Sequence, residues 1–301
     1  MGGINCMGEK YQFKRARSEF WVIIHKNLFD YNITTSNKYI KIINKVFPIL
    51  ERNSPIGWKI SQKKNYMSSI WLPNGKYEQS TITELFKWCE VAVENLLWLG
   101  LNKNIKQYFN AELDYCIALD FNYANFSYKE GRTEIGEAEY QLKYNAGNLN
   151  EEELKKYADI LMNKMIGVYK ECIQVGTTLE WSVSPMPATE QGKTKMAWLM
   201  AEELAMQLQL PFIEPLVVCD KPQMKELTIQ NKIETWEKIY YNNGVEIADT
   251  DKIRGKNIIV VDDLYQSGAT MWEYAKFLKL LGARCVFGVV CVKSLKDSDN
   301  Q

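Results

Sequence analysis

The sequence of 301 residues contains only one histidine, His25, and no pair of cysteines with Cys-x-x-Cys spacing. Its seven cysteines are scattered, so neither a zinc site nor a disulfide framework is predicted. We expect these thiols to be reduced and mainly buried. His25 has no serine or cysteine motif as a partner, and we interpret it as a packed or surface residue rather than a catalytic one.

Long apolar runs are also missing. None reaches the roughly 20 residues that a helix needs to cross a bilayer, and the first residues lack the pattern of a signal peptide. We therefore expect a cytoplasmic protein with no membrane contact. The chain has neither a Gly-x-Gly-x-x-Gly fingerprint nor a Gly-x-x-x-x-Gly-Lys-Ser/Thr loop, which disfavours dinucleotide binding and NTP hydrolysis.

The formal net charge is zero, but the two parts of the chain carry opposite charges. Residues 1–110 contain 16 lysines and arginines against 8 acidic residues, and residues 111–301 contain 21 against 29, which gives +8 and −8. One interpretation is that two solvated faces of opposite sign attract each other within the protein or an oligomer. The other is that the basic part binds nucleic acid or a protein partner.

Residues 1–110 are predicted to form a basic, mainly helical extension with one hairpin. The apolar spacing and a turn signal at residues 73–76 predict a loose terminus, a helix, a hairpin and a second helix, at residues 1–15, 18–50, 58–82 and 83–109. Helix, hairpin and helix are compatible with a winged-helix module and equally with an ordinary α+β extension.

From about residue 111 strands alternate with helices, which predicts an α/β domain, residues 111–301, with a mainly parallel sheet flanked by helices. Strands are predicted at residues 115–119, 179–183, 216–219, 257–261 and 285–292. Helices are predicted at residues 151–170, at residues 195–208 and between the last two strands. Parallel strands place their carboxyl ends at one edge of the sheet, where ligands bind.

The strongest chemical signal is the segment of residues 260–270, VVDDLYQSGAT. A buried strand is predicted to end in two adjacent carboxylates, Asp262 and Asp263, and small residues then lead into a helix. Two acids at a strand end can accept hydrogen bonds from a vicinal diol or help to hold a metal. The N–H groups at a helix start favour an anion, and Gly268 allows close approach of the backbone. These groups predict a receptor for ribose 5-phosphate; the plain alternative is a capping or salt-bridged acid beside a simple turn.

In this segment the chain resembles the type I phosphoribosyltransferases, which use phosphoribosyl pyrophosphate (PRPP). In that family the paired acids hold the ribose hydroxyls and the following loop holds the 5-phosphate. The resemblance implies that Asp262 and Asp263 are the catalytic pair and contact the metal indirectly, through PRPP. It implies that the phosphate is bound by Tyr265, Gln266, Ser267, Gly268, Ala269 and Thr270.

Other segments narrow the resemblance to ComF-like phosphoribosyltransferases, which are related to a bacterial DNA-uptake protein. Residues 139–144 (EYQLKY) are similar to a segment ahead of their core, and residues 183–187 (VSPMP) occupy the place of their first strand and pyrophosphate loop. Residues 221–223 and 232–239 are similar to their flexible loop. The resemblance covers about residues 111–301.

Two features depart from the ComF-like pattern. Many of these proteins begin with a four-cysteine zinc module, whereas this chain begins with a longer extension that has no cysteine pair. The phosphate loop carries Tyr265 and Gln266 where many relatives have small hydroxyl residues. Two interpretations of Tyr265 are open: it stacks on a ligand, or it only packs.

Displacement at the ribose carbon needs negative charge beside an oxocarbenium-like transition state, and the departing pyrophosphate needs Mg²⁺ and cations. Lys221 and Lys225 on the flexible loop are expected to close over the pyrophosphate. The sequence identifies no candidate for the general base that would deprotonate the incoming nucleophile. The candidates for binding the pyrophosphate are Pro185, Met186, Pro187, Lys193 and Lys195.

Two functions therefore emerge from the sequence. The first is an Mg²⁺-dependent phosphoribosyltransferase that binds PRPP at residues 260–270. Its acceptor is unidentified, and its expected role is in DNA uptake or antiviral defence. The second is an inactive PRPP- or nucleotide-sensing module whose basic N-terminal region binds nucleic acid or a partner protein. A homodimer is expected, because this fold class often dimerises.

Overall fold

The computed structural model describes residues 8–94, 96–101, 103, 105–176, 180–187, 195–220 and 227–295. The chain forms two compact units. The first comprises Met1–Leu97 and Lys170–Gln174, and the second comprises Trp98–Tyr169 and Val175–Gln301. The predicted domain boundary after residue 110 stays a prediction.

The first unit is built on a five-stranded antiparallel sheet. One face of this sheet is buried, because alternate residues such as Val22 and Ile24 point into the core. A helix covers this face at the first strand, where Phe86 contacts the rings of Tyr11 and Phe13. The strands are β1 (Glu9–Lys14), β2 (Trp21–Lys26), β3 (Asp30–Ser36), β4 (Trp58–Ile60) and β5 (Met67–Pro73), in the spatial order β1-β2-β3-β5-β4. The helices are α1 (Ile40–Val46), α2 (Pro48–Asn53) and α3 (Gln79–Glu94).

Much of the helical prediction for this region is wrong. β1 lies in the expected loose terminus, and β2 and β3 lie where a helix was predicted from residue 18. The hairpin is displaced, because β4 pairs with β5 while residues 73–76 form a turn towards α3. The second helix ends at Glu94 rather than at residue 109. The apolar run in β2 hid the two-residue alternation that distinguishes a strand from a helix. The unit is an α+β extension and not a helix–hairpin–helix module.

The second unit is built on a mainly parallel sheet. Its strands, with a separate antiparallel pair β9–β10, are β6 (Leu97–Leu99), β7 (Tyr115–Phe121), β8 (Trp181–Pro185), β9 (Pro215–Val217), β10 (Val245–Ile247), β11 (Asn257–Tyr265) and β12 (Cys285–Lys293). The sheet order is β6-β7-β12-β11-β8, and the pairs β7–β12, β12–β11 and β11–β8 are parallel. These strands are buried nearly throughout, as expected where both faces of a parallel sheet are covered.

Helices cover both faces of this sheet. Gly288 of β12 lies against Met271, whereas Cys291 contacts Met200 from the opposite face, because residues three apart on a strand point to opposite sides. The helices are α4 (Glu134–Tyr144), α5 (Glu151–Gly167), α6 (Met196–Leu208), α7 (Ile229–Tyr241) and α8 (Ala269–Leu280). The predicted α/β architecture with an N-terminal α+β extension is confirmed.

Three predictions for this unit need correction. Residues 232–239, which resemble a flexible loop, lie within helix α7. Ser184 and Pro185 belong to β8, which continues two residues beyond its predicted end at Val183. β11 continues four residues beyond its predicted end at Val261, so both acids lie on the strand itself.

The cysteines and His25 agree with their sequence interpretation. The six cysteines in the described ranges are free thiols, and Cys89, Cys116, Cys172 and Cys291 are buried. His25 lies exposed on β2. No helix within the described part of the chain is long and apolar enough to cross a membrane.

Candidate functional site

Strand β11 brings Asp262 and Asp263 to the carboxyl end of the parallel sheet. On one side β8 pairs with β11 up to the contact of Pro185 with Val261, and on the other side β12 accompanies β11 to Tyr265. Asp262 and Asp263 therefore lie on the part of β11 that extends past the end of β8. The backbone N–H of Asp263 donates a hydrogen bond of 2.9 Å to Oδ1 of Asp262, which orients the first carboxyl group.

The turn between β11 and α8 depends on Gly268. Its φ of 86° lies in the left-handed region, and a Cβ atom there would collide with the ring of Tyr265. Tyr265 is 3% exposed, and its hydroxyl donates to the carbonyl of Gly100 at 3.1 Å and accepts from Nε1 of Trp272 at 3.3 Å. Tyr265 thus packs beneath the loop, which decides between its two interpretations, and its ring is not available for stacking on a ligand.

Two buried side chains also hold the loop between β11 and α8 in place. Nζ of Lys293, a buried residue, donates to the carbonyl oxygen of Gln266 at 3.0 Å and to that of Ser294 at 2.9 Å. The hydroxyl of Ser267, buried as well, accepts from the N–H of Ala269 at 3.3 Å. The first N–H groups of an α-helix have no partner within the helix and carry partial positive charge. The start of α8 is therefore held as a cradle for an anion.

The paired acids and this cradle line one pocket of about 250 Å³. Its wall is formed by consecutive residues 262–271 and by two lysines from other helices, Lys143 of α4 and Lys232 of α7. One pocket thus joins carboxylate acceptors, backbone donors and two cations. This combination suits a ligand that carries both hydroxyl groups and an anionic group.

Lys143 compensates the charge of the second acid. Its Nζ lies 2.9 Å from Oδ2 of Asp263 and 3.4 Å from Oε1 of Glu139, a buried residue of α4. Burial lowers the pKa of Lys143, but the charges of Asp263 and Glu139 outweigh burial and raise it above its ordinary value. Lys143 is therefore a permanent cation at the acid end of the pocket.

Asp262 lies in a different environment from its neighbour. Burial, reinforced by the charge of Asp263, raises the pKa of Asp262 from 3.8 to about 8. The hydrogen bond from the Asp263 backbone and the charges of Lys143 and Lys195 oppose this rise. Because a buried carboxylate beside a second one is disfavoured, Asp262 holds a proton near neutral pH in the protein alone.

A magnesium ion near the acid pair would need most of its ligands from the substrate. No group of three or more histidine, cysteine or acidic side chains that could hold a metal is present among the described residues. Mg²⁺ commonly keeps several waters and is held by one or two carboxylates together with substrate phosphates. Asp262 and Asp263, beside a phosphate cradle, fit such a site if the substrate supplies the remaining oxygens.

Comparison with known proteins gives little beyond this geometry. No family model and no curated protein matches the chain. Among solved structures the chain is similar to adenine phosphoribosyltransferase from Saccharomyces cerevisiae, complexed with D-2,5-dideoxy-2,5-imino-altritol 1,6-bisphosphate and adenine, at 18% identity over 48% of this chain and 70% of that chain, with a TM-score of 0.30. It is also similar to a purine phosphoribosyltransferase from Pyrococcus horikoshii at 13% identity over 49% and 87%, with a TM-score of 0.27. Likeness of this degree carries no argument about function, so the case rests on the site.

The structure brings some predicted residues together and leaves others apart. Residues 262–270 all line the pocket, and Tyr265 among them is buried. Residues 185–187 are buried and adjoin β11, where the N–H of Met186 donates to the carbonyl of Val261 at 2.9 Å. Lys195 lies at the start of α6, close enough for its charge to act on Asp262, but it does not line the described pocket. Lys193, Lys221 and Lys225 lie outside the described residues.

Sequence reasoning missed both lysines of the pocket wall. Lys143 lies in the segment 139–144, which was noted only for its similarity to a segment ahead of the ComF-like core and not as part of a site. Lys232 lies in a segment interpreted as a flexible loop. The signal for Lys232 is the helical apolar spacing of Ile233, Trp236 and Tyr240, all buried, which identifies a helix packed on the domain.

Proposed function

We propose that this chain is a Mg²⁺-dependent phosphoribosyltransferase-type protein that binds PRPP through residues 260–270. One observation carries the proposal: the two acids and the start of α8 line the same pocket. A ribose 5-phosphate carries a diol and a phosphate on opposite sides of a small ring. The pocket offers hydroxyl acceptors on Asp262 and Asp263 and an anion cradle at the start of α8.

The residues of the pocket have separate roles in this proposal. Asp262 and Asp263 accept hydrogen bonds from the ribose hydroxyls and place negative charge beside the developing positive charge of the ring. The backbone of residues 266–270 donates to the 5-phosphate. A Mg²⁺ ion, if bound with PRPP, would neutralise negative charge on the departing pyrophosphate. Lys195 supplies further positive charge near the acids.

The transfer step balances without a covalent enzyme intermediate. A lone pair of the acceptor forms the new bond to C1 of the ribose. The bond from C1 to the pyrophosphate oxygen breaks, and pyrophosphate leaves with that electron pair. The acceptor's proton passes to a base, for which no described residue is assigned. The ComF-like subgroup, with a role in DNA uptake or antiviral defence, is proposed on sequence segments such as residues 139–144 alone. A homodimer is proposed because this fold class often dimerises.

Calorimetric titration of the full chain with PRPP and Mg²⁺ tests the proposal. We expect wild-type protein to bind PRPP, and the double variant Asp262→Asn, Asp263→Asn to bind it at least about tenfold more weakly, since charge-assisted hydrogen bonds are lost. Asp251→Asn is the matched control, because Asp251 is an exposed acid outside the pocket. Absence of PRPP binding by the wild type would refute the proposal.

A turnover assay distinguishes a phosphoribosyltransferase from a module that only senses PRPP. Pyrophosphate release from PRPP is measured with a panel of bases, amines and nucleosides as acceptors. Release that depends on an acceptor and is lost in the double variant supports transferase activity. PRPP binding with no pyrophosphate release across the panel supports the alternative of a sensing module.

A second function, binding of single-stranded nucleic acid, is supported by the open face of the first unit's sheet. Strand register places on this face Lys10, Lys14, Trp21, His25, Lys59 and Trp71, opposite the buried face. Lys10, Lys14, His25, Lys59 and Trp71 are exposed, and Asp30 is the one acid on this face within the described strands. Lysines suit phosphates, and tryptophans stack on bases that are not already stacked in a duplex. Several of the basic residues in segment 1–110 thus lie together on one exposed face of the sheet.

Fluorescence polarisation with labelled single-stranded DNA and RNA tests this surface. We expect Trp71→Ala to weaken binding by about 5- to 100-fold, the usual effect of losing one stacked base. Lys10→Gln with Lys14→Gln should reduce the slope of log affinity against log salt by about 0.7 for each lost phosphate contact. Lys76→Gln, on the exposed turn after β5, is the control. Absence of salt-dependent binding, or equal effects of the control, would exclude this surface.

A further inference from the structure

Trp71 lies on the open face of the first unit's sheet, where β5 meets β4. It is 38% exposed. The hydroxyl of Ser54 donates to the carbonyl of Trp71 at 2.8 Å and accepts from the N–H of Gly57 at 3.1 Å. This bridge fixes the turn before β4 against the backbone of Trp71. A Cβ atom at Gly57 would meet nothing within 4 Å, so there is open space beside this part of β5.

Asn32 lies beside Trp71 on the neighbouring strand β3. The register pairs the two residues directly, which places their Cβ atoms about 4.5–5.5 Å apart. The side-chain oxygen Oδ1 of Asn32 is buried and has no hydrogen-bond partner among the described residues. A buried acceptor without a donor costs free energy, and a ligand that brings an N–H group removes this cost. Asn32 as a whole is half-buried, and rotation about χ2 exchanges its oxygen and amide nitrogen, so the oxygen can turn towards a ligand.

Lys59 lies on the other side of Trp71. It pairs with Ser69, which precedes Trp71 by two residues, so Lys59 is a diagonal neighbour of Trp71 at about 7–8 Å. Its side chain is exposed. This separation is comparable with the distance from a base to the phosphate of the same nucleotide. An aromatic ring, an amide and a cation thus lie together within the dimensions of one nucleotide.

The charge of the surrounding face favours a polyanion. Lys10 pairs with His25, and His25 pairs with Asn32, so a line of side chains runs from Lys10 on β1 to Trp71 on β5. With about 4.8 Å between adjacent strands, this line is about 14 Å long. A nucleic acid chain that crosses the sheet along this line meets a second cation beyond Asn32.

We propose that Trp71, Asn32 and Lys59 form a subsite for one unstacked nucleotide. The base stacks on Trp71, an N–H group at the edge of the base donates to Oδ1 of Asn32, and a phosphate contacts Lys59. This inference rests on the second proposed function, the binding of single-stranded nucleic acid, and adds that the sheet recognises bases and not only the phosphate chain. Every nucleobase carries such an N–H group, and base pairing occupies it in a duplex, so the subsite tolerates sequence and rejects duplexes.

Fluorescence polarisation of the full chain with two labelled strands of equal length tests the inference. One strand is a homopolymer of deoxyadenosine, and the other is the same sugar–phosphate strand without bases. We expect the wild type to bind the strand with bases about 5- to 100-fold more tightly, the usual effect of base stacking on an aromatic side chain. Equal affinity for the two strands would overturn the subsite.

Three substitutions assign the contacts. Trp71→Ala should remove most of the preference for bases, whereas Trp71→Phe, which keeps an aromatic plane, should retain part of it. Asn32→Leu should weaken the strand with bases by about 2- to 10-fold and leave the strand without bases unchanged. Lys59→Gln should weaken both strands and reduce the slope of log affinity against log salt by about 0.7. The matched controls are Tyr128→Ala and Asn148→Leu, which change exposed residues of the second unit.

A purely structural role for Asn32 predicts a different result. Asn32→Leu would then lower the melting temperature and weaken both strands to the same extent, which would overturn the base contact. The inferred role requires a melting temperature that stays equal or rises, because an acceptor without a donor is removed.

The same titrations separate this inference from the proposed function. If the wild type binds neither strand, the binding of single-stranded nucleic acid fails, and the subsite fails with it. If the wild type binds both strands with the same affinity and the same salt dependence, nucleic acid binding stands and only the recognition of bases is overturned. PRPP binding at residues 260–270 is independent of either outcome.

Discussion

Replacing Asp262 by asparagine should stabilise the ligand-free protein and weaken the PRPP binding that we propose. The carboxyl group has a pKa of about 8 in the folded protein against 3.8 ordinarily, because it is buried beside Asp263. The folded state therefore holds a proton that the unfolded chain has released. By linkage, the free energy of unfolding falls as pH rises from about 4 to about 8.

The magnitude follows from this difference in pKa. Each pKa unit is worth about 1.4 kcal/mol, so the carboxyl group costs up to about 4 kcal/mol at pH 7. Solvent reaches part of Asp262, which reduces this cost, and we expect Asp262→Asn to gain about 1–3 kcal/mol. Asparagine keeps the oxygen that accepts from the Asp263 backbone, so little packing is disturbed.

Thermal unfolding of wild type and Asp262→Asn at pH values from 5 to 9 measures the effect. A gain of each kcal/mol should raise the melting temperature by about 2–4 °C in a chain of this size. The gain should be small at pH 5 and grow towards pH 8. Asp251→Asn, which changes an exposed acid outside the pocket, is the control and should leave the melting temperature unchanged. A stabilisation that is absent, or that does not grow with pH, would refute the reasoning.

Three further variants probe the site. Gly268→Ala forces a Cβ atom onto the Tyr265 ring at a positive φ. We expect the free energy of unfolding to fall by about 1–3 kcal/mol in melting experiments, and PRPP binding to be lost in titrations. Tyr265→Phe removes only the buried hydroxyl contacts and should cost about 1–2 kcal/mol of stability while PRPP affinity changes little. Lys143→Met removes the cation beside Asp263, which should weaken PRPP binding about tenfold and move its pH dependence to higher pH, because the charge of Lys143 lowers the pKa of Asp262 and its loss lets that pKa rise further. An unchanged pH profile of the dissociation constant in Lys143→Met would contradict the role assigned to that lysine.

The sequence predicted the second unit far better than the first. Strands β7, β11 and β12 are apolar runs with clear ends, and their neighbours along the chain are helices with a regular apolar stripe, so local pattern and fold agree. In the first unit the alternation of Val22 and Ile24 was masked by the apolar residues Trp21 and Ile23 between them. An open sheet face that carries tryptophan loses the polar alternation that identifies a strand.

The candidate site was predicted in its local part only. Residues 262–270 are contiguous, and their chemistry could be read directly from their order. Lys143 and Lys232 reach the pocket from helices that precede β11 along the chain, and their positions depend on how α4 and α7 pack. Such contacts have no signature in the order of residues. They become visible only when the helices are placed in space.

The ring of Tyr265 beneath Gly268 has a consequence for how the pocket meets its ligand. When a loop becomes ordered on binding, the loss of conformational entropy costs about 1–2 kcal/mol of free energy per residue. Here the loop is already held by the tyrosine below it and by the ammonium group of Lys293 on its carbonyl side. The receptor is thus preorganised: little ordering remains for the ligand to impose, and its affinity is determined by the contacts it makes and by the water it displaces.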